Sequence, residues 1–318
     1  PGARTWRGAM TLEEIERQET ALDETLEVEE EEYALPAMKI GLDEWCFHNS
    51  MLLGKMTLMD VVAKAAELKL DGVGFDYFMM KREMRKNPEE MRDRLRESGL
   101  ELVFGFGLPF SLPEVIFQAM EKMKNEMFDL AHEFGADIVR VYGGLIIPNM
   151  FHKPFHLVTD REAEIKEVSR RLKLFTRDAS LEGLTVALEN HSDYTMREML
   201  QIVHSVDSER FRVTLDTGNA LFLGEDPVLT AERLAPYAAY THIKDLKRSG
   251  PMVLGSPLGQ GEIDIPKIVE ILRDRMYDGL FSIECNLPPW QVEREESAVN
   301  ESVEFLRGLE SEARERED

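Results

Sequence analysis

From Lys39 onward the chain repeats one two-part unit: a short apolar run ending in polar residues, followed by a helical stretch. Strand-like runs occupy positions 39–42, 72–75, 101–104, 137–141, 184–188, 211–215, 239–243 and 280–283. Short, nearly continuous apolar runs of this kind mark strands covered on both faces. Between them the apolar positions recur at helical spacing, for example over 59–69, 88–98, 114–134, 162–181 and 266–275. Turn signals punctuate the joins, among them Ser98-Gly99, Phe134-Gly135-Ala136 and Tyr277-Asp278-Gly279. Strands that alternate with helices demand a parallel sheet, and eight such units predict an α/β fold closed into a single (β/α)8 TIM barrel over residues 37–310. An open doubly wound sheet is the rival, but no glycine-rich phosphate turn follows the first run.

Charge changes the picture mainly at the ends. The 318 residues carry 61 acids against 38 Lys and Arg, a formal net charge of −23. Residues 11–33 and 291–318 together hold −16 of it, so the body is only mildly acidic. Residues 1–36 read as an acidic N-terminal extension, and 311–318 as a charged tail in a solvated C-terminal end. An acidic chain is a poor partner for phosphate backbones, so no nucleic acid is expected. No apolar run approaches the roughly 20 residues that span a bilayer, so no membrane partner is expected and the chain is read as cytoplasmic. Cys46 and Cys285 are the only cysteines, too few for a disulfide framework, and are read as reduced thiols.

Candidate chemistry gathers at the C-terminal ends of runs five to eight, where a barrel of this kind places its active site. They read Glu189-Asn190-His191, Asp216-Thr217-Gly218-Asn219, His242-Ile243-Lys244-Asp245 and Glu284-Cys285-Asn286. The two-residue period of a strand turns Glu189, Asp216, His242 and Glu284 to one face and carries His191, Lys244 and Asn286 with them. Arg140 and Tyr142 share that face on the fourth run. Three carboxylates and an imidazole converging on one mouth repel and resist desolvation unless a cation joins them. Hard oxygens with one borderline nitrogen suit Mn²⁺, Mg²⁺, Co²⁺, Fe²⁺ or Zn²⁺. His48, at the first run's end, is a further candidate for the pocket. Trp45 and Trp290 are candidate apolar walls, and the loop 143–155, with His152 and His156, is a candidate cover.

Taken together, these strand ends, the opening Gly41-Leu42-Asp43-Glu44-Trp45-Cys46-Phe47-His48 and the later Pro257-Leu258-Gly259-Gln260-Gly261-Glu262-Ile263-Asp264 resemble the xylose-isomerase-like TIM-barrel superfamily over residues 38–309. That group contains sugar isomerases and epimerases of the tagatose 3-epimerase type, hydroxypyruvate isomerase and inosose dehydratase. The resemblance implies that Glu189, Asp216, His242 and Glu284 hold one divalent cation, Mn²⁺ first, and that Glu189 and Glu284 are the catalytic proton-transfer groups. It implies proton abstraction beside a metal-bound carbonyl of a small carbohydrate or keto-sugar, through an enediolate, and so an isomerase or epimerase. Arg248, six residues after His242, matches the family's substrate-binding arginine; His191, Asn219, Lys244, Arg140 and His48 complete the expected substrate contacts.

The chain departs from the epimerases at two positions. Asn219 stands where they carry a histidine, and Thr195 where the tagatose type carries a second glutamate. His242-Ile243-Lys244-Asp245 is similar instead to members of the inosose dehydratase type. A lyase on the same cation, either an inosose-type dehydratase or a C-glycoside-cleaving subunit acting on a 3-oxo sugar, is therefore the alternative. A non-catalytic sugar-binding barrel is the second alternative. A homo-oligomer and a partner subunit both remain open.

Overall fold

The computed structural model describes residues 35–144 and 160–317. Its strands are β1 (Lys39–Asp43), β2 (Gly72–Asp76), β3 (Glu101–Pro109), β4 (Ile138–Tyr142), β5 (Thr185–Glu189), β6 (Phe211–Asp216), β7 (Ala238–Ile243), β8 (Asp245–Ser249), β9 (Met252–Ser256) and β10 (Leu280–Ile283). All but β8 and β9 join a closed parallel barrel of eight strands in sequence order, β1 meeting β10 in the register Lys39↔Leu280 to Leu42↔Ile283. The expected (β/α)8 barrel is thus the observed one. β8 and β9 form an antiparallel hairpin inserted after β7.

The alternating faces of each strand sort the side chains. Val139, Val141, Val186 and Leu188 are buried in one apolar core with the helices, whereas Arg140, Tyr142 and Glu189, from the same two strands, line a cavity inside the barrel mouth. Val103, Tyr240 and Leu280 form a small apolar plug of their own, in keeping with the layered interiors of such barrels.

The surrounding helices are α1 (Leu58–Glu67), α2 (Glu89–Ser98), α3 (Lys124–Phe134), α4 (Arg161–Leu181), α5 (Met196–Val206), α6 (Pro227–Leu234), α7 (Ile265–Asp274) and α8 (Glu295–Glu317). Local chemistry sets their ends. α1 and α5 open on capping boxes, Thr57 with Asp60 and Thr195 with Glu198. α2 and α3 stop at Gly99 and Gly135, whose φ of 65° and 74° lie in the left-handed region open to glycine. Among the described residues no helix is long and apolar enough to cross a membrane.

The structure corrects the sequence reading at two helices. The single helix expected over 114–134 is two, Glu114–Glu121 and α3. The break lets Phe117 pack on Phe110 and Phe128 on Phe106. The acidic C-terminal stretch is not solvated throughout: it forms α8, helical through Glu317, with Ala298, Val299, Ser302, Val303 and Leu306 buried along one stripe, while residues 311–315 are mostly exposed. Glu295, at its start, is buried and accepts N–H bonds from Asn49 (3.0 Å) and Ser50 (3.1 Å). Residues 1–34 of the acidic extension lie outside the described residues.

One close approach inside the barrel is testable. A Cβ on Gly105 of β3 would overlap Asp76 Oδ1, an atom held by the Arg140 guanidinium at 3.0 Å. Gly105→Ala is expected to cost about 1–3 kcal/mol, the usual range for overpacking, as a lowered midpoint in urea unfolding. An unchanged midpoint would show that this corner yields freely.

Candidate metal centre

Four side chains at consecutive ring positions converge at the barrel mouth. Glu189 ends β5, Asp216 ends β6, His242 lies next to the end of β7, and Glu284 follows β10. One ligand atom from each lies within 4.8 Å of every other, and all four residues are buried. His242 Nδ1 is the common neighbour, 2.9 Å from Glu284 Oε2, 3.6 Å from Glu189 Oε1 and 3.8 Å from Asp216 Oδ2. The second oxygen of each carboxylate is fixed elsewhere. Glu189 Oε2 accepts from Arg140 Nη1 at 2.9 Å. Asp216 Oδ1 accepts the N–H groups of Gly218 (2.7 Å) and Asn219 (3.0 Å). Glu284 Oε1 stands 2.9 Å from Lys244 Nζ, which also lies 2.7 Å from Asp216 Oδ2.

The residues that follow the ligands lace the strand ends together. Asn190 accepts from the Asp216 N–H at 2.7 Å and donates to the Asp216 carbonyl at 2.9 Å, joining β5 to β6. The Thr217 hydroxyl accepts from the Lys244 N–H at 2.8 Å and donates to the Lys244 carbonyl at 2.7 Å. Asp245 accepts from the N–H groups of Gly261 (2.7 Å) and Ile263 (3.2 Å), which ties the 257–264 segment to the hairpin. The residues after Glu189 and Asp216 thus staple β5 to β6 and β6 to the end of β7, the support that a site of fixed geometry needs.

The charges in this buried cluster act strongly on one another. Burial alone would raise both glutamates. His242 and Arg140 instead hold Glu189 well below the usual carboxylate range, and Lys244 and His242 hold Glu284 down to about 2. Burial likewise works against the His242 cation, but Asp43, Glu189 and Glu284 push it well above the ordinary imidazole value. Lys244 is raised above its usual range by Asp216 and Glu284, against burial.

Several buried acids, Glu44 and Asp193 among them, went unassigned in the sequence, and two of these end strands. Asp43 ends β1 and Asp76 ends β2, each one residue beyond the apolar run that marks its strand. They share the Arg140 guanidinium, whose Nη2 lies 3.0 Å from Asp76 Oδ1 and 3.8 Å from Asp43 Oδ2. Tyr142 accepts from Arg140 Nη1 at 2.9 Å and donates to Asp76 Oδ2 at 3.2 Å. Burial pushes Asp76 up despite Arg140, and burial with Asp43 and Asp76 pushes Glu44 well up. The available signal was Gly41-Leu42-Asp43 beside Gly74-Phe75-Asp76, the same apolar-then-acid ending on successive strands.

The cavity above the cluster has a volume of about 540 Å³. Its lining gathers most of the expected contacts: His48, Arg140, His191, Asn219 and Lys244, with Trp45 and Asn286. His48 is oriented by the Trp45 carbonyl at 2.8 Å, and His191 packs on the Tyr142 ring at 4.5 Å. Asn219 reaches Glu189 Oε1 through Nδ2 at 3.4 Å. Arg248 does not join them. It lies on the exposed outer part of β8, and its Nη1 meets Glu262 Oε2 at 2.9 Å, so the hairpin turns it to a carboxylate outside the cavity lining. Thr195, which replaces the tagatose type's second glutamate, is the N-cap of α5. Trp290 is 60% exposed and off the lining, which Pro288 and Pro289 do join. His152 and His156 lie outside the described residues.

The donor set fits a divalent cation. His242 Nδ1 and Glu284 Oε2 are buried without a hydrogen bond of ordinary geometry and face the cluster; Asp216 Oδ2, with the Lys244 ammonium at 2.7 Å, faces it too, and His242 Nε2 and Asp43 Oδ2 are likewise buried without one on the far side of the ring. Two ligands each about 2.1 Å from one ion stand roughly 3.0–3.4 Å apart at octahedral or tetrahedral angles. The observed 2.9–3.8 Å separations around Nδ1 bracket that spacing.

Comparison with known proteins agrees with this architecture. An inosose dehydratase of Bacillus thuringiensis (strain Al Hakam) is 22% identical over 247 residues, which cover 70% of this chain and 81% of the relative. Among solved structures, an IolI protein with a bound zinc atom is similar at a TM-score of 0.72 and 15% identity, over 86% of this chain and 99% of that one. An L-ribulose 3-epimerase is similar at a TM-score of 0.66 and 17% identity, over 88% and 96%. The family model described as the xylose isomerase-like TIM barrel matches residues 62–309, and the chain belongs to that family.

Proposed function

We propose that the chain is a divalent-metal-dependent isomerase or epimerase that moves a proton on the carbon beside the carbonyl of a small carbohydrate or keto-sugar. One observation carries this reading: two buried carboxylates, Glu189 and Glu284, share one ligand cluster on the floor of a cavity sized for a small molecule. Glu189, Asp216, His242 and Glu284 would hold the cation, and its chemistry is Lewis-acid polarisation of a carbonyl, which makes the adjacent C–H acidic. The set of carboxylates with one imidazole suits Mn²⁺, Mg²⁺, Co²⁺, Fe²⁺ or Zn²⁺, and the family resemblance puts Mn²⁺ first.

The chain's own residues do the rest. Arg140 and Lys244 each neutralise one glutamate, so both carboxylates enter the reaction ionised and able to take a proton. Return of the abstracted proton to the neighbouring carbon by the same glutamate isomerises; inversion needs the partner glutamate first to take a proton from a substrate hydroxyl or from solvent and then to deliver it to the opposite face. Asn219, His191 and Lys244 offer polar contacts for substrate hydroxyls at the cavity wall. Trp45, Phe222 and Leu246 supply an apolar wall for the C–H face of a sugar and help keep water out.

A second reading, a lyase on the same cluster, has its own support. The curated relatives include inosose dehydratases, and His191 and Lys244, both on the cavity lining, are the side chains that would supply a proton to a leaving hydroxyl. Incubation of the Mn²⁺-loaded protein in deuterated water with a panel of ketoses and keto-inositols separates the two. Deuterium appearing beside the carbonyl, with no loss of water, is the expected result. Stoichiometric loss of water moves the assignment to the lyase. A protein that binds the cation but neither exchanges nor eliminates across the panel argues against both and for a sugar-binding barrel.

A further inference from the structure

The geometry points to Asp43 as the positioning residue that selects the tautomer of His242, so that Nδ1 is free to ligate a cation at the cluster. The inference rests on the reading of the cluster as a metal site. Asp43 is the last residue of β1 and His242 belongs to β7, with β10 between them in the barrel. The side chains meet across that gap: His242 Nε2 lies 3.2 Å from Asp43 Oδ2, with both residues fully buried.

The ring is therefore held between carboxylates on its two edges. Nε2 faces Asp43, and Nδ1 faces Glu284 at 2.9 Å. A neutral imidazole has one N–H and one lone pair. With the proton on Nδ1, the lone pair of Nε2 would point at the buried Asp43 carboxylate, and the N–H would block the cluster. With the proton on Nε2, that edge has an acceptor and Nδ1 presents its lone pair to Glu189, Asp216 and Glu284. The rest of the Asp43 carboxylate is fixed. Oδ1 accepts the Trp45 N–H at 3.0 Å, capping the turn Glu44–Phe47. Arg140 Nη2 stands 3.8 Å from Oδ2, and the Tyr240 ring packs edge-on to the imidazole at 5.2 Å. A carboxylate behind a ligating histidine is the arrangement that generally orients the ring and tunes affinity.

The two oxygens of Asp43 thus face two different groups, Oδ1 the Trp45 N–H that it accepts and Oδ2 the imidazole edge 3.2 Å away, and an amide has only one acceptor for both. Asn caps turns about as well as Asp. Asp43→Asn should keep the turn while offering an NH₂ to Nε2, which favours the non-ligating tautomer. Calorimetric titration of the metal-free full chain with Mn²⁺ alone is the test, with circular dichroism as the fold control. The expected result is binding weaker by about 10- to 100-fold than wild type, the typical effect of losing such a partner. A folded Asp43→Asn protein that binds Mn²⁺ within twofold of wild type overturns the assignment and leaves the metal site standing. Wild-type protein that takes up no cation overturns the functional reading and this one with it. Should the variant not fold, the ¹⁵N signals of His242 in wild-type protein loaded with Zn²⁺ decide, identified by their loss in His242→Gln. A protonated Nε2 with ligated Nδ1 is expected, and the reverse refutes the role given to Asp43.

Discussion

Glu284→Gln, assayed at saturating Mn²⁺, is expected to lose about 10³-fold in kcat/KM, close to 4 kcal/mol of transition-state stabilisation. The size follows from what the carboxylate does. Its Oε2 lies in the cluster 2.9 Å from His242 Nδ1, and its Oε1 faces Lys244 at 2.9 Å. An amide of the same shape fills the same space but cannot take a proton. It also cannot counter the Lys244 ammonium, which then turns wholly to Asp216. Two measurements separate the base from the ligand. Loss of a ligand appears as weaker Mn²⁺ binding, whereas loss of the base persists once the cation is bound. If Glu189 is the opposite acid–base group, the loaded Glu284→Gln protein should still exchange one substrate hydrogen with deuterated water while failing to complete turnover. Full turnover by the loaded variant would remove Glu284 from the chemistry and with it the two-carboxylate reading.

The sequence carried more of this site on one side of the barrel than on the other. At β5, β6, β7 and β10 the ligands sit among other polar residues, and those neighbours are informative because they staple the strands: Asn190 to Asp216, Thr217 to Lys244. At β1 and β2 the readable apolar run stops at Leu42 and Phe75, and the following Asp43 and Asp76 look like the first polar residues of a loop. Pleating continues for one more residue in each case, which turns both carboxylates inward. Only the closure of the ring brings them to Arg140, whose own position on β4 was readable. Arg248 fails for a different reason. Its spacing from His242 is right, but the direction of its side chain is set by the hairpin pairing of β8 with β9 and by Glu262, fourteen residues away in sequence. Strand periodicity does not contain that information. The break between Glu114–Glu121 and α3 is likewise a packing outcome, with no Pro or Gly to announce it.

Arg140→Met should be the most destabilising single change at the mouth, by about 3–5 kcal/mol, as expected when one partner of a buried ion pair is removed. The guanidinium is 2% exposed and serves Asp76 at 3.0 Å and Glu189 at 2.9 Å, with Asp43 at 3.8 Å. Methionine fills much of the volume but leaves three buried carboxylates without that cation. The deficit should depend on pH, and its sign follows from the causes of the shifts. Burial already raises Asp76, and Arg140 is the main influence pulling it back; Arg140 also helps to hold Glu189 low. Without the arginine both carboxyls move upward, Asp76 further above its unfolded-state value. A group raised in the folded state stabilises the fold below its unfolded value and loses that contribution as pH rises through the folded one. The gap between wild type and variant should therefore be narrow near pH 5 and wide near pH 8, measured as urea unfolding free energies at both. Arg140→Lys restores a charge without the fork that reaches several carboxylates at once, and should recover only part of the loss. A methionine variant as stable as wild type at pH 8 would mean that water already screens these carboxylates, and the buried ion-pair cluster would lose its basis.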